Sequence, residues 1–171
     1  MSSIPPQLFD ELVDAAERDH PRARQLLIEH PGILSARGRF GETPLHFLAV
    51  EGFADAVRFL AESGADVNLP NDMGESPLLE VAALGNADVA AVLLRFGADP
   101  NAQSETRDNV LHAAVQAGNA RLVEILLDAG ANARYRTDLD ETVFDALPDD
   151  SDKRAEVLRV LAERGISSGA A

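Results

Sequence analysis

The sequence predicts an all-α solenoid of stacked helix-turn-helix units joined by hairpin fingers. Two observations predict it. First, the segment GETPLHFLAVEG, starting at Gly41, aligns with GESPLLEVAALG, starting at Gly74, at an offset of 33 residues. The same offset carries Thr43 to Ser76, Asn109 and Thr142, and Leu45 to Leu78, Leu111 and Phe144. It also carries Gly52 to Gly85 and Gly118, and Gly64 to Gly97 and Gly130. A fixed period of this size marks an array of supersecondary units. Second, hydrophobic residues make up 46% of the chain, yet aromatics only 5%, and Trp is absent. A core built mainly from Leu, Val and Ala favours closely packed helices.

Five units follow in order. Residues 8–40 form an N-terminal cap, with Ala16, Leu27 and Ile28 at offsets matching the inner face of later units. This cap lacks the TPLH-type start and both glycine stops. In residues 41–73, Thr43 caps a first helix and Pro44 takes its first position, where a missing N–H costs nothing. Gly52 stops that helix at positive φ. A second helix covers roughly 54–63, with Val57, Leu60 and Ala61 on one face at i, i+3, i+4 spacing. Gly64 ends it, and the turn-rich ADVNLPNDM forms a finger. Residues 74–106 and 107–139 repeat the plan, with Ala90, Leu93 and Leu94, then Val123, Leu126 and Leu127, on the equivalent face. Residues 140–166 form a C-terminal cap with Thr142 and Phe144 in register, needing two extra residues before Leu161 and Gly165 align. One helix pair cannot bury its apolar face alone, and stacking neighbours does so.

The run TPLHFLAVEG…FLAESGADVN resembles the ankyrin repeat, as does GADPN at 97–101. The resemblance is strong over 41–139 and weaker over 8–40 and 140–166. It implies antiparallel helix pairs with fingers projecting at right angles, and a concave groove lined by fingers and first helices. Leu79 stands where the family has His, the third unit reads NVLH at Asn109, Arg134 replaces Asn, and Phe53 stands where Asn86 and Asn119 occupy the other units.

The charge and motif content set aside several functions. A net charge of −14 disfavours nucleic acid and anionic membranes as partners, since both need a basic patch. With no Cys, thiolate metal sites and Cys nucleophiles are excluded. The N-terminus lacks a basic start and a long apolar run, so no signal peptide is expected. No stretch approaches the ~20 apolar residues that span a bilayer. Lys153 is the only lysine, an arginine bias that points to a GC-rich bacterial source. His46 and His112 occupy the family's TPLH position, where the ring is expected to hold the turn. They lie two repeats apart, roughly 20 Å at 8–10 Å per helix layer, too far to share a metal. His20 and His30 read as boundary residues of the first cap. The run PDDSDK, with Asp149, Asp150 and Asp152, lacks the glycine turn of a calcium loop and reads as an acidic helix start. No phosphate-binding, dinucleotide, HExxH or GxSxG motif occurs. No cofactor, metal, catalytic residue or small-molecule substrate is expected.

What remains is binding. Carrying the family's geometry over position by position gives a partner-binding surface. The fingertips supply Arg39 and Phe40, Asp72 and Met73, Glu105 and Thr106, Asp138 and Leu139. The residues after each Gly41-type position supply Glu42, Glu75, Asp108 and Glu141. The ends of the first helices supply Val50 and Glu51, Ala83 and Leu84, Gln116 and Ala117. Phe40, Met73, Leu84 and Leu139 are apolar side chains ringed by acids, the composition of a protein interface. The expected function is a non-catalytic, cytoplasmic interaction module for a partner protein with a basic surface. The alternative is a dedicated inhibitor or immunity protein that blocks a basic bacterial enzyme or toxin.

Overall fold

A computed structural model describes residues 5–104 and 109–168. These fold as nine α-helices and one 3-10 turn, with no paired strand beyond an isolated bridge between Gln103 and Asn109. The helices are α1 (Pro6–Arg18), α2 (His20–Glu29), α3 (Pro44–Val50), α4 (Ala54–Glu62), α5 (Pro77–Ala83), α6 (Ala87–Arg95), α7 (Val110–Ala117), α8 (Ala120–Asp128) and α9 (Ser151–Glu163). Helices α1, α3, α5 and α7 stack in one layer, and α4, α6, α8 and α9 in a second. One continuous apolar core runs between them from Leu12 to Leu161.

Local chemistry sets the helix ends. Thr43 caps α3 in a reciprocal box: its hydroxyl accepts from the His46 backbone N–H (3.3 Å), and His46 Nδ1 accepts from the Thr43 N–H (3.2 Å). Ser76 and Asn109 cap α5 and α7 through their side-chain oxygens alone, accepting from the N–H groups of Leu79 and His112. Asn86 and Asn119 cap α6 and α8, while Phe53 makes no side-chain cap at α4. Asp150 caps α9 by accepting from the N–H groups of Asp152 and Lys153, so the acidic run is a helix start.

Fingers bind each other through backbone and asparagine. Gly38 N–H donates to Glu42 O, Asn71 N–H to Glu75 O and Thr137 N–H to Glu141 O, closing the three fingers that the described residues include. Asp72 N–H donates across to Phe40 O at 3.0 Å. Gly41 sits at φ +74°, and a Cβ there falls 2.1 Å from Asp72 Oδ1 and 2.7 Å from the Asp72 backbone nitrogen. Only glycine lets the two fingers approach so closely. Below the fingers, Asn68 Nδ2 donates to Gly97 O (2.9 Å) and its Oδ1 accepts from Asp99 N–H (2.8 Å). Asn101 repeats the staple with Gly130 O and Asn132 N–H. Arg134, at the next equivalent position, ends this ladder.

Two expectations fail at the ends of the stack. Ile28 is 79% exposed, and α2 buries Ala23 and Leu26 instead. Asp19 caps α2 directly after α1, without the glycine stop of later units, and the helix turns a different face inward. Residues 143–146 form turns and no first helix. Asp145 accepts from both the Thr142 N–H and hydroxyl, at 2.7 Å each, tightening the chain into a turn that Pro148 then prevents from extending. Val143 is still fully buried, so the turn plugs the core as a helix would.

Candidate partner-binding surface

The predicted surface residues fall on the fingers and first-helix ends. Phe40 (65% exposed), Met73 (60%), Leu84 (60%) and Leu139 (80%) stand in water. Arg39, Glu51, Asp72, Gln116 and Asp138 are also exposed, as is Val50. Arg39 lies over the Phe40 ring, 5.5 Å from its centroid. Glu42 is engaged by its own finger: its carboxylate accepts from the backbone N–H groups of Phe40 (2.6 Å) and Arg39 (3.2 Å). That bond shapes the fingertip and takes up part of the carboxylate expected to face a partner. Glu105, Thr106 and Asp108 lie outside the described residues.

Between α5, α7 and the fourth finger lies a cavity of about 270 Å³. Its apolar lining comes from Leu79, Ala83, Ala113 and Ala146, and its carboxylates from Glu75, Glu80, Glu141 and Asp145. The described residues lining it include no lysine or arginine. Asn71 ties the second finger to this site. Its Oδ1 accepts from Met73 and Glu75 N–H, and its Nδ2 donates to Glu75 Oε2 (3.3 Å) and Glu80 Oε1 (3.0 Å). Glu80 Oε2 is shut off from solvent and has no hydrogen-bond partner. Burial, and next the charge of Glu75, push the Glu80 carboxyl up to about 7. Asp145 moves the other way, held below its ordinary value by the Thr142 backbone and hydroxyl hydrogen bonds.

The two TPLH-type histidines are structural. His46 is fully buried; with Nδ1 accepting from Thr43, its proton lies on Nε2, 3.3 Å from Glu75 O in the next finger. Burial lowers its pKa to about 4, so it is neutral at physiological pH. In α7, Asn109 Oδ1 already accepts from His112 N–H, so His112 Nδ1 donates to the same oxygen at 2.9 Å. The Tyr135 ring meets His112 edge-on at 5.7 Å. Near the N-terminal cap, His20 stacks on Phe59 at 4.2 Å. No group of three or more His, Cys, Asp or Glu side chains among the described residues is placed to hold a metal ion.

Sequence reasoning passed over Phe47 and Glu80. They share one repeat position with Ala113, one residue past the histidine slot, and Glu80 and Ala113 both line the cavity. Phe47 is 41% exposed and meets Phe9 edge-on at 6.5 Å. The signal was a glutamate at a position that is apolar in the neighbouring units.

Helix pairs stacked in two layers, linked by glycine-closed fingers, define a repeat solenoid. A family model described as ankyrin repeats (3 copies) matches residues 12–104 and 81–170, and the chain belongs to the ankyrin repeat family. It is similar to the serine/threonine-protein kinase VIK of Arabidopsis thaliana, at 43% identity over 54 residues. That stretch is 32% of this chain and spans 12% of the kinase. Ankyrin repeats are in general protein–protein interaction modules without catalytic activity. No helix among the described residues is long and apolar enough to cross a membrane.

Proposed function

We propose that this chain is a non-catalytic cytoplasmic module that captures a partner protein with a basic surface, using the concave groove and fingertips. The observation that carries the reading is the groove cavity, walled by four carboxylates, without a lysine or arginine among its described lining residues. Phe40 and Met73 on the fingertips and Leu84 at the end of α5 add exposed apolar surface. Opposite charge steers the encounter and apolar contact holds it. A prefolded stack loses little ordering entropy on binding. Its units are residues 8–40, 41–73, 74–106, 107–139 and 140–166, the first and last acting as caps.

Affinity capture on the full chain from source lysate, at low and high salt, tests the reading. A basic protein whose retention falls as salt rises is expected. A partner held equally well at high salt contradicts the electrostatic part, and reproducible turnover of a substrate contradicts the non-catalytic part. If the captured partner is an enzyme or toxin, loss of its activity on binding identifies the chain as its inhibitor.

A further inference from the structure

We propose that the groove is graded along the stack, apolar over α3 and acidic over α5 and α7. It takes an extended partner segment whose apolar side chain rests on Phe47 and Val50 while one lysine or arginine enters the cavity. The inference rests on the protein-binding function proposed above and specifies what is recognised. Phe47 and Val50 are 41% and 40% exposed on one helix, with no carboxylate on the intervening turn of α3. Their counterparts in the next repeat are Glu80 and Ala83, and both line the cavity.

The cavity suits one long basic side chain. At about 270 Å³ it falls just below the ~300–1,000 Å³ of small-molecule sites. Leu79, Ala83 and Ala113 offer an aliphatic wall for the methylene stem, and the acids receive the head group. Glu141 and Asp145 are exposed and meet an incoming cation first. Glu80 stands deeper, with Asn71 on one oxygen and the other buried. Around it stand Glu75 from its own finger, Glu42 from the preceding finger, His112 from α7, and Glu141 and Asp145 from the last unit. A cation arriving here offsets the burial, and next the Glu75 charge, that hold the Glu80 carboxyl up, and so favours its ionised form. Neighbouring helices packed 8–10 Å apart place the cavity, between α5 and α7, roughly 12–15 Å from α3 and its Phe47. An extended chain at about 3.3 Å per residue covers that span in roughly four residues.

The test uses the isotopically labelled full chain and a synthetic capped peptide with one leucine and one arginine separated by three serines. A second peptide replaces arginine by citrulline, an uncharged isostere. Amide shifts at Phe47, Val50, Leu79, Ala83 and Ala113, with binding roughly tenfold or more weakened by citrulline, are expected. The double variant Glu75→Gln, Glu80→Gln should lose the same factor while its spectrum elsewhere stays unchanged. Equal binding of the citrulline peptide, or shifts confined to other acidic surfaces such as α1, overturns the proposal. If these fail while salt-sensitive capture of a basic protein persists, the graded groove is wrong and the protein-binding function stands. If no protein is captured at all, that broader function falls.

Discussion

Replacing Glu80 by glutamine should stabilise the protein at alkaline pH and change little at acid pH. In the folded chain the carboxyl is raised from 4.5 to about 7 by burial first and Glu75 second. A raised acid contributes stability that is fully present below its unfolded value and lost as pH rises through the folded one. The cost of ionised Glu80 is therefore absent below about pH 4.5 and complete above about pH 7. The difference corresponds to at most ~3 kcal/mol. Glu80 is half-buried, and solvent screening reduces this to roughly 1–2 kcal/mol. The glutamine side chain in E80Q carries no charge, and its carbonyl still accepts from Asn71 Nδ2. At ~2–4 °C per kcal/mol for a chain of this size, E80Q should melt roughly 2–8 °C above the parent near pH 8 and within a degree or so near pH 4. Thermal melts of both proteins across that range measure it. An E80Q protein less stable than the parent at alkaline pH, or a difference that does not vary with pH, refutes the description of this site.

Other parts of the stack give separate expectations. His46, lowered to about 4 mainly by burial, contributes stability that is present above pH 6.5 and lost as pH falls through 4. His46→Leu, which copies the Ser76–Leu79 arrangement of the next repeat, should flatten that acid limb in urea titrations. Leu60→Ala and Leu93→Ala, both fully buried, should each cost about 2–5 kcal/mol by denaturant unfolding. Phe40→Ala and Met73→Ala, on exposed fingertips, should stay within ~0.5 kcal/mol yet weaken partner binding. Asn101→Ala removes the bonds to Gly130 O and Asn132 N–H and should cost about 1–2 kcal/mol, whereas Arg134→Ala should leave stability unchanged.

The repeat architecture was legible because each unit carries its own punctuation. Thr43, Ser76 and Asn109 start helices, Gly52 and Gly64 stop them, and the 33-residue spacing fixes how the units stack. The ends were less legible, since their side chains answer to one neighbouring unit instead of two. Ile28 matches inner-face positions by offset, yet the tight Asp19 junction turns it outward. Thr142 looks like a helix start, but Asp145 and Pro148 make a turn of it. The groove was legible only in part. Fingertip exposure follows from position, and Phe40 and Leu139 stand where expected. Glu80 required knowing that three successive units and Asn71 close around it, a juxtaposition no single repeat encodes.

Hydrogen exchange of the full chain, alone and saturated with its captured partner, tests the binding mode most directly. Slowed exchange should concentrate in the fingers around residues 38–42, 71–75 and 137–141 and in α3, α5 and α7. Protection confined to α4, α6 and α8, with the fingers and groove unchanged, would contradict it.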